Sequence, residues 1–169
     1  RVTDDGTTRE LARGRGDVSI DLKWRFHEDG DLSLLLKPGL TLPAGRDERG
    51  LGAGRVTWGS DLVLGYELGP LAFFLHAGWR RNDNTLGERR SLAHLSLATM
   101  WSVTDKVKLV LDLGRDTNPE RDSRAPIRQV AYGATCALTK DLDLGFGVRR
   151  GYSGPATDRA LLAGLKLRW

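Results

Sequence analysis

The side chains of this chain best suited to carry chemistry are few: His27, His76, His94, the serine two positions after His94, and the single cysteine, Cys136. A hydroxyl, an imidazole to take its proton and a carboxylate to orient the imidazole make an acyl-transfer site. Ser96, His76 or His94, and Glu67 on an adjoining strand offer those three groups. Their spacing in the alternating pattern described below sets them at different heights on one interior face, so convergence is not expected. The three histidines likewise fall at different depths, whereas metal ligands must meet at one point. A lone cysteine can form no internal disulfide and no thiolate cluster. The sequence therefore predicts no catalytic residue, no metal site and no cofactor.

The elements that carry these residues account for more of the chain. A formal charge of +4 and a pI near 9.5 are moderately basic and do not call for nucleic acid. No run of about eighteen apolar residues is present, which excludes a membrane-spanning helix. The mean hydropathy of −0.36 is uninformative, because strands that alternate apolar and polar residues average low even in a bilayer. Twenty-one glycines and the lack of helical periodicity point to β structure. Arg1 is neither an initiator Met nor the start of a signal-peptide pattern, so the chain reads as mature or as a fragment.

Residues 1–16 are polar and glycine-punctuated and read as loop. From Asp17 to Trp169 nine strands follow, each with apolar residues at every second position. The first shows Val18, Ile20, Leu22, Trp24 and Phe26 on one face, with His27 on the other. The last shows Leu161, Ala163, Leu165, Leu167 and Trp169. Pro38 in the second strand lacks a ladder donor and predicts a bulge or local distortion. Short turns alternate with long polar loops, the latter around residues 43–54, 82–90, 116–125 and 151–158.

The face opposite the apolar one carries Lys23, Arg25, Lys37, Asp61, Glu67, His76, His94, Lys106, Lys108, Asp112, Asp143, Arg149, Lys166 and Arg168, the expected lining of a lumen. Aromatic residues fall on the apolar face in two girdles. Trp24, Phe26, Tyr66, Phe73, Trp101 and Trp169 lie near the short turns, and Trp58 and Trp79 near the long loops. Arg81, Arg115, Arg150 and Arg159 continue the apolar-face register into the long-loop rim, where they could meet lipopolysaccharide phosphates or simply be solvated. A soluble antiparallel sandwich would alternate equally well. It would have to bury one face under a helix or second sheet, and no amphipathic helix pattern is available.

The closing stretch, ending on Gly164-Leu165-Lys166-Leu167-Arg168-Trp169, resembles the last strand of bacterial outer-membrane β-barrels, where a terminal aromatic also serves as the signal to the barrel-assembly machinery. With residues 37–45 (KPGLTLPAG) and 17–26 (DVSIDLKWRF), it is similar to the outer-membrane transporter-like family named for a meta-pathway of phenol degradation. The resemblance runs over nearly the whole chain. It implies an all-β, antiparallel, up-and-down transmembrane β-barrel in the bacterial outer membrane, with outer-membrane lipid and lipopolysaccharide as surroundings. The implied role is passage of small molecules, aromatic or hydrophobic ones included. A non-conducting structural or adhesive barrel, and more remotely an outer-membrane lipid-modifying hydrolase, are the alternatives. Such barrels have an even strand number, so nine visible strands are expected to belong to a barrel of ten or twelve, with residues 1–16 as an extracellular loop ending a missing first strand. Backbone pairing between residues 17–26 and 159–169 in a closed barrel would contradict that expectation.

Overall fold

The computed structural model describes residues 2–4, 7–9, 14–154, 156 and 159–168. The strands are β1 (Val2–Asp4), β2 (Thr7–Arg9), β3 (Val18–Asp21), β4 (Trp24–Asp29), β5 (Leu32–Leu42), β6 (Thr57–Leu68), β7 (Leu71–Arg81), β8 (Ser91–Ser102), β9 (Val107–Asp116), β10 (Ile127–Ala137), β11 (Leu142–Gly151) and β12 (Arg159–Leu167). The described residues contain no α-helix, only a 3-10 turn at Asp47–Arg49, and no helix long and apolar enough to cross a membrane.

Strands β3 to β12 form one ten-stranded sheet in which every neighbouring pair is antiparallel, in the order β12-β11-β10-β9-β8-β7-β6-β5, with β3 and β4 both on the far side of β5. The chain is thus all-β and up-and-down. Side chains project alternately from the two faces of a strand, and directly paired residues share a face. Leu34, Leu64, Leu75, Leu97, Leu113 and Val130 accordingly make one continuous apolar row across six strands. Lys37, Asp61, Gly78, His94 and Asp116 make a row on the opposite face. A slip of one residue anywhere would exchange the faces, so the alternation fixes the register. Gly30 and Gly69 supply the positive φ, 55° and 57°, that two of the short turns require.

The expected first strand is broken in two, and Pro38 explains where. In an antiparallel pair the N–H and C=O of one residue point to the same neighbour. The Pro38 carbonyl accepts the Leu22 N–H at 3.0 Å, so the absent proline N–H also faces that side. β5 continues without interruption against β6, with Pro38 opposite Ser60. The ladder instead lapses in the partner, between the end of β3 at Asp21 and the start of β4 at Trp24. The expected distortion therefore falls in the edge partner and not in the proline's own strand. A bulge follows, with Arg25 opposite Leu35 but His27 opposite Leu34. Phe26 is the extra residue, and His27 moves to the apolar face, where strict alternation does not put it.

Burial runs opposite to that of a soluble domain. On the inner strands the apolar face is exposed, with Leu97 at 46%, Leu113 at 47% and Phe146 at 66%. The polar face is covered, with Thr57 at 4% and Ser96 at 6%. The polar face is thus the enclosed side, as in a barrel wall. Among the described residues no ladder joins β12 to β3 or β4, and the stretch read as loop holds β1 and β2, paired only with each other. Trp169, expected in the girdle, lies outside the described residues.

Close backbone approach makes some glycines irreplaceable and leaves others free. A Cβ at Gly133 would run into the Phe146 carbonyl oxygen and stand 2.7 Å from the Gly147 Cα, whereas one at Gly164 would meet nothing within 4 Å. Gly133→Val should destabilise the refolded protein by about 1–3 kcal/mol through overpacking. Gly164→Ala should stay within about 0.5 kcal/mol. Urea titration in detergent micelles reads both.

Candidate functional site

The polar row becomes a belt of linked charges on the enclosed face. Lys37 Nζ lies 3.8 Å from carboxylate oxygens of both Asp21 on β3 and Asp61 on β6. Asp61 Oδ1 in turn lies 3.3 Å from His76 Nε2, though out of hydrogen-bonding alignment. The His76 and His94 rings meet edge to face with centroids 4.7 Å apart. His94 Nδ1 is 2.6 Å from Asp116 Oδ1, and Gln129 Nε2 donates to Asp116 Oδ2 at 3.2 Å. The belt thus crosses from β3 to β10 and borders a cavity of about 440 Å3. Glycines make room for it: a Cβ at Gly39 would collide with the Asp21 carboxylate, and one at Gly78 with that of Asp61.

The two histidines expected at different heights are therefore brought together. His94 pairs across the strands with Gly78, two residues from His76, so the imidazoles are diagonal neighbours over a position with no side chain. Ser96 is the direct cross-strand partner of His76, but no hydrogen bond joins them, and Glu67 sits farther along the strand opposite Ala72. His27 is on the other face. No group of three His, Cys, Asp or Glu among the described residues is arranged to hold a metal ion.

The remaining polar-face candidates fall into separate groups. Toward the short turns, both terminal nitrogens of Arg168 reach Asp143, one of them at 3.2 Å, and Arg25 Nη1 contacts both Glu28 oxygens at 3.0 Å. Lys108 and Lys166 stand on β9 and β12; Lys23 occupies the gap between β3 and β4, and Lys106 the β8–β9 turn. Asp112 and Arg149 flank Ala131 across β9, β10 and β11, and Asp112 Oδ1 is buried without a partner. Among these charged groups the same face also carries apolar pairs, Leu35 beside Val63, Phe74 beside Ala98 and Met100 beside Val110, with Asp112 directly opposite Ala98 and His76 directly opposite Val63.

On the apolar face Tyr66 pairs with Phe73 and Leu71 with Trp101 near the turns, and Trp24 packs on Phe26 at 5.7 Å. At the long-loop end Trp58 and Trp79 meet edge to face at 5.2 Å, and the Trp79 indole donates to Ser91 Oγ at 2.8 Å. Arg81 is held by Asp83 at 3.2 Å, while Arg115 and Arg150 stand on β9 and β11 and Arg159 opens β12.

Over residues 1–169 the chain matches the protein family described as "Putative MetA-pathway of phenol degradation". The chain belongs to this family. No curated protein matches it. The family's description relates it to phenol degradation and is compatible with an aromatic-related outer-membrane protein.

What pattern reading missed in this family member is the mesh of the long loops. Asp17 clamps both limbs of the β5–β6 loop, accepting the Gly45 N–H at 2.9 Å and the Ala53 N–H at 2.8 Å. The Thr85 hydroxyl donates to Asp47 Oδ2 at 2.7 Å and its N–H to the Ala53 carbonyl at 3.0 Å, tying that loop to the next. Arg89 donates to the carbonyls of Glu120, Arg121 and Ser123, and Arg121 returns a bond to the Glu88 carbonyl. Asp17 is 28 and 36 residues from its partners, so no local signal marks it.

The Thr85 hydroxyl holds the Asp47 carboxyl below its ordinary value of 3.8. A carboxylate depressed in the folded state stabilises the clasp fully above that ordinary value and loses the contribution as pH falls through the lowered pKa. Acidifying through the lowered pKa should therefore weaken the clasp and leave the Thr85 N–H bond to the Ala53 carbonyl as the remaining link, read by NMR from the amide shifts of Thr85 and Ala53 in micelles. Thr85→Val should weaken the clasp at neutral pH and abolish this acid transition.

Proposed function

We propose that this chain forms an outer-membrane β-barrel wall that lets small, hydrophobic or aromatic molecules pass along its polar face. The observation that carries the reading is the inverted burial: exposed leucines and aromatics on one face, buried hydroxyls and half-buried charges on the other. In water such an exposed apolar area would drive aggregation. In lipid it costs nothing, and only a paired sheet or a helix can satisfy backbone groups there. The rims of tryptophan and tyrosine support the same reading. The apolar side chains on the enclosed face, Phe74 and Met100 among them, support a hydrophobic cargo, as does the family's description. We read the role as passage and not catalysis, because Ser96 lies within a paired strand whose amides are committed to the ladder and cannot form an oxyanion hole.

A second reading, a closed scaffold, is favoured by the belt from Asp21 to Asp116, which links side chains across the enclosed side at one level. Reconstitution into planar bilayers separates the two. Conductance and faster efflux of a neutral aromatic alcohol than of a sugar of similar size are expected, and sealed bilayers would sink the passage reading. Lys106, Lys108 and Lys166 have no ion-pair partner among the described residues, so the turn end should favour anions at low salt. A reversal potential of cation-selective sign would contradict it.

A further inference from the structure

We propose that the apolar face of β9 to β12, at its long-loop end, is a binding site for the phosphate groups of an outer-leaflet lipid. Arg115 on β9 is directly opposite Arg128 on β10, and Arg150 on β11 is directly opposite Arg159 on β12. Arg150 pairs with Val130, two residues from Arg128, so the two pairs are diagonal neighbours. Four arginines thus hold contiguous positions across four strands, all exposed. Arg128 is the member that pattern reading left out, since its strand begins earlier than the alternation suggests.

Like charges directly opposite on a sheet repel, and two such pairs side by side make a place where an anion is favoured. The chain supplies none among the described residues. No ion pair there involves any of the four. Asp116, next to Arg115 in sequence, points to the opposite face and is engaged by His94 and Gln129. Arg81, at the same end of β7, is already neutralised by Asp83 and takes no part.

The chemistry selects a phosphorylated amphiphile. The planar guanidinium fork matches a phosphate with two parallel hydrogen bonds. The next positions on the same face are apolar, Leu113 opposite Val130 and Val148 opposite Leu161, the last 77% exposed. A ligand that satisfies both bands carries acyl chains below and phosphates above. Three inter-strand spacings give the quartet a breadth of about 14 Å, room for a headgroup with more than one phosphate. Tyr152, whose N–H donates to the Arg128 carbonyl at 3.0 Å, adds an exposed amphipathic ring at that border. This inference rests on the reading that the apolar face meets lipid.

The test uses the full chain refolded in neutral detergent, titrated with lipid A, with dephosphorylated lipid A and with inorganic phosphate, and followed by native mass spectrometry. Lipid A should bind, and removal of its phosphates or the double change Arg128→Gln/Arg150→Gln should each weaken binding by about ten-fold or more. Arg128→Lys/Arg150→Lys keeps the charge, loses the fork, and should fall between. Where the double variant fails to refold, the single changes Arg115→Gln and Arg159→Gln at the same exposed face give the readout. Equal binding by wild type and variants, or equal binding of the dephosphorylated lipid, overturns the site. Displacement of lipid A by millimolar inorganic phosphate overturns the assignment to lipid. Protease protection in phosphatidylcholine vesicles is scored separately: failure to insert overturns the barrel reading and the lipid site with it, while insertion without lipid A selectivity overturns the arginine site alone.

Discussion

The constraint on which the structure depends is that backbone amides along the sheet are satisfied by a neighbouring strand while the two faces are kept chemically opposite. Strand pairing settles the first requirement, and a repeat of two residues settles the second. The two are coupled through register, because any pairing that slips by one residue keeps its hydrogen bonds but mixes leucines with charges. The row from Leu34 to Val130 and the row from Lys37 to Asp116 are the two sides of one register. Pro38 is tolerated for the same reason: its missing donor faces the edge partner, so the break falls in β3–β4 and the ladder inward of β5 is intact.

Within that frame the enclosed face is layered. Charged groups at the belt are joined to one another and border glycine-lined space, apolar pairs such as Phe74 and Ala98 are interleaved with Asp112 beyond it, and cationic residues gather toward the turns. Isolated charges on a covered surface would be costly, and linking them across six strands keeps most of them partnered. Asp112 and His76 depart from this, each with one buried polar atom that has no hydrogen-bond partner among the described residues. The glycines opposite Asp21 and Asp61 serve the belt by their lack of a side chain, letting carboxylates lie over the neighbouring strand.

The two ends of the sheet differ in kind. At the turn end the links are short and the cations are largely lysines. At the loop end Asp17, Asp47, Thr85 and Arg89 bind successive loops into a mesh. Outside the mesh, on the apolar face, Arg115, Arg128, Arg150 and Arg159 have no ion-pair partner among the described residues. A loop end that is internally cross-linked and outwardly cationic suits a surface facing an anionic headgroup layer.

The sequence by itself determined the up-and-down strand order from Asp17 onward, with one expected strand broken in two, and the family, because a period of two and the turn residues are local signals; β1 and β2, in a stretch that reads as loop, carry no such signal. It did not determine which residues on a face touch. His76 and His94 meet because the stagger between β7 and β8 sets them diagonally over Gly78, and Arg115 meets Arg128, and Arg150 meets Arg159, because of the registers of their strand pairs. His27 changed face through a bulge one residue long, and Asp17 found partners far along the chain in a loop with no periodicity. Alternation tells which side a residue is on. Only the lateral pairing of strands and the folding-back of loops decides its neighbours.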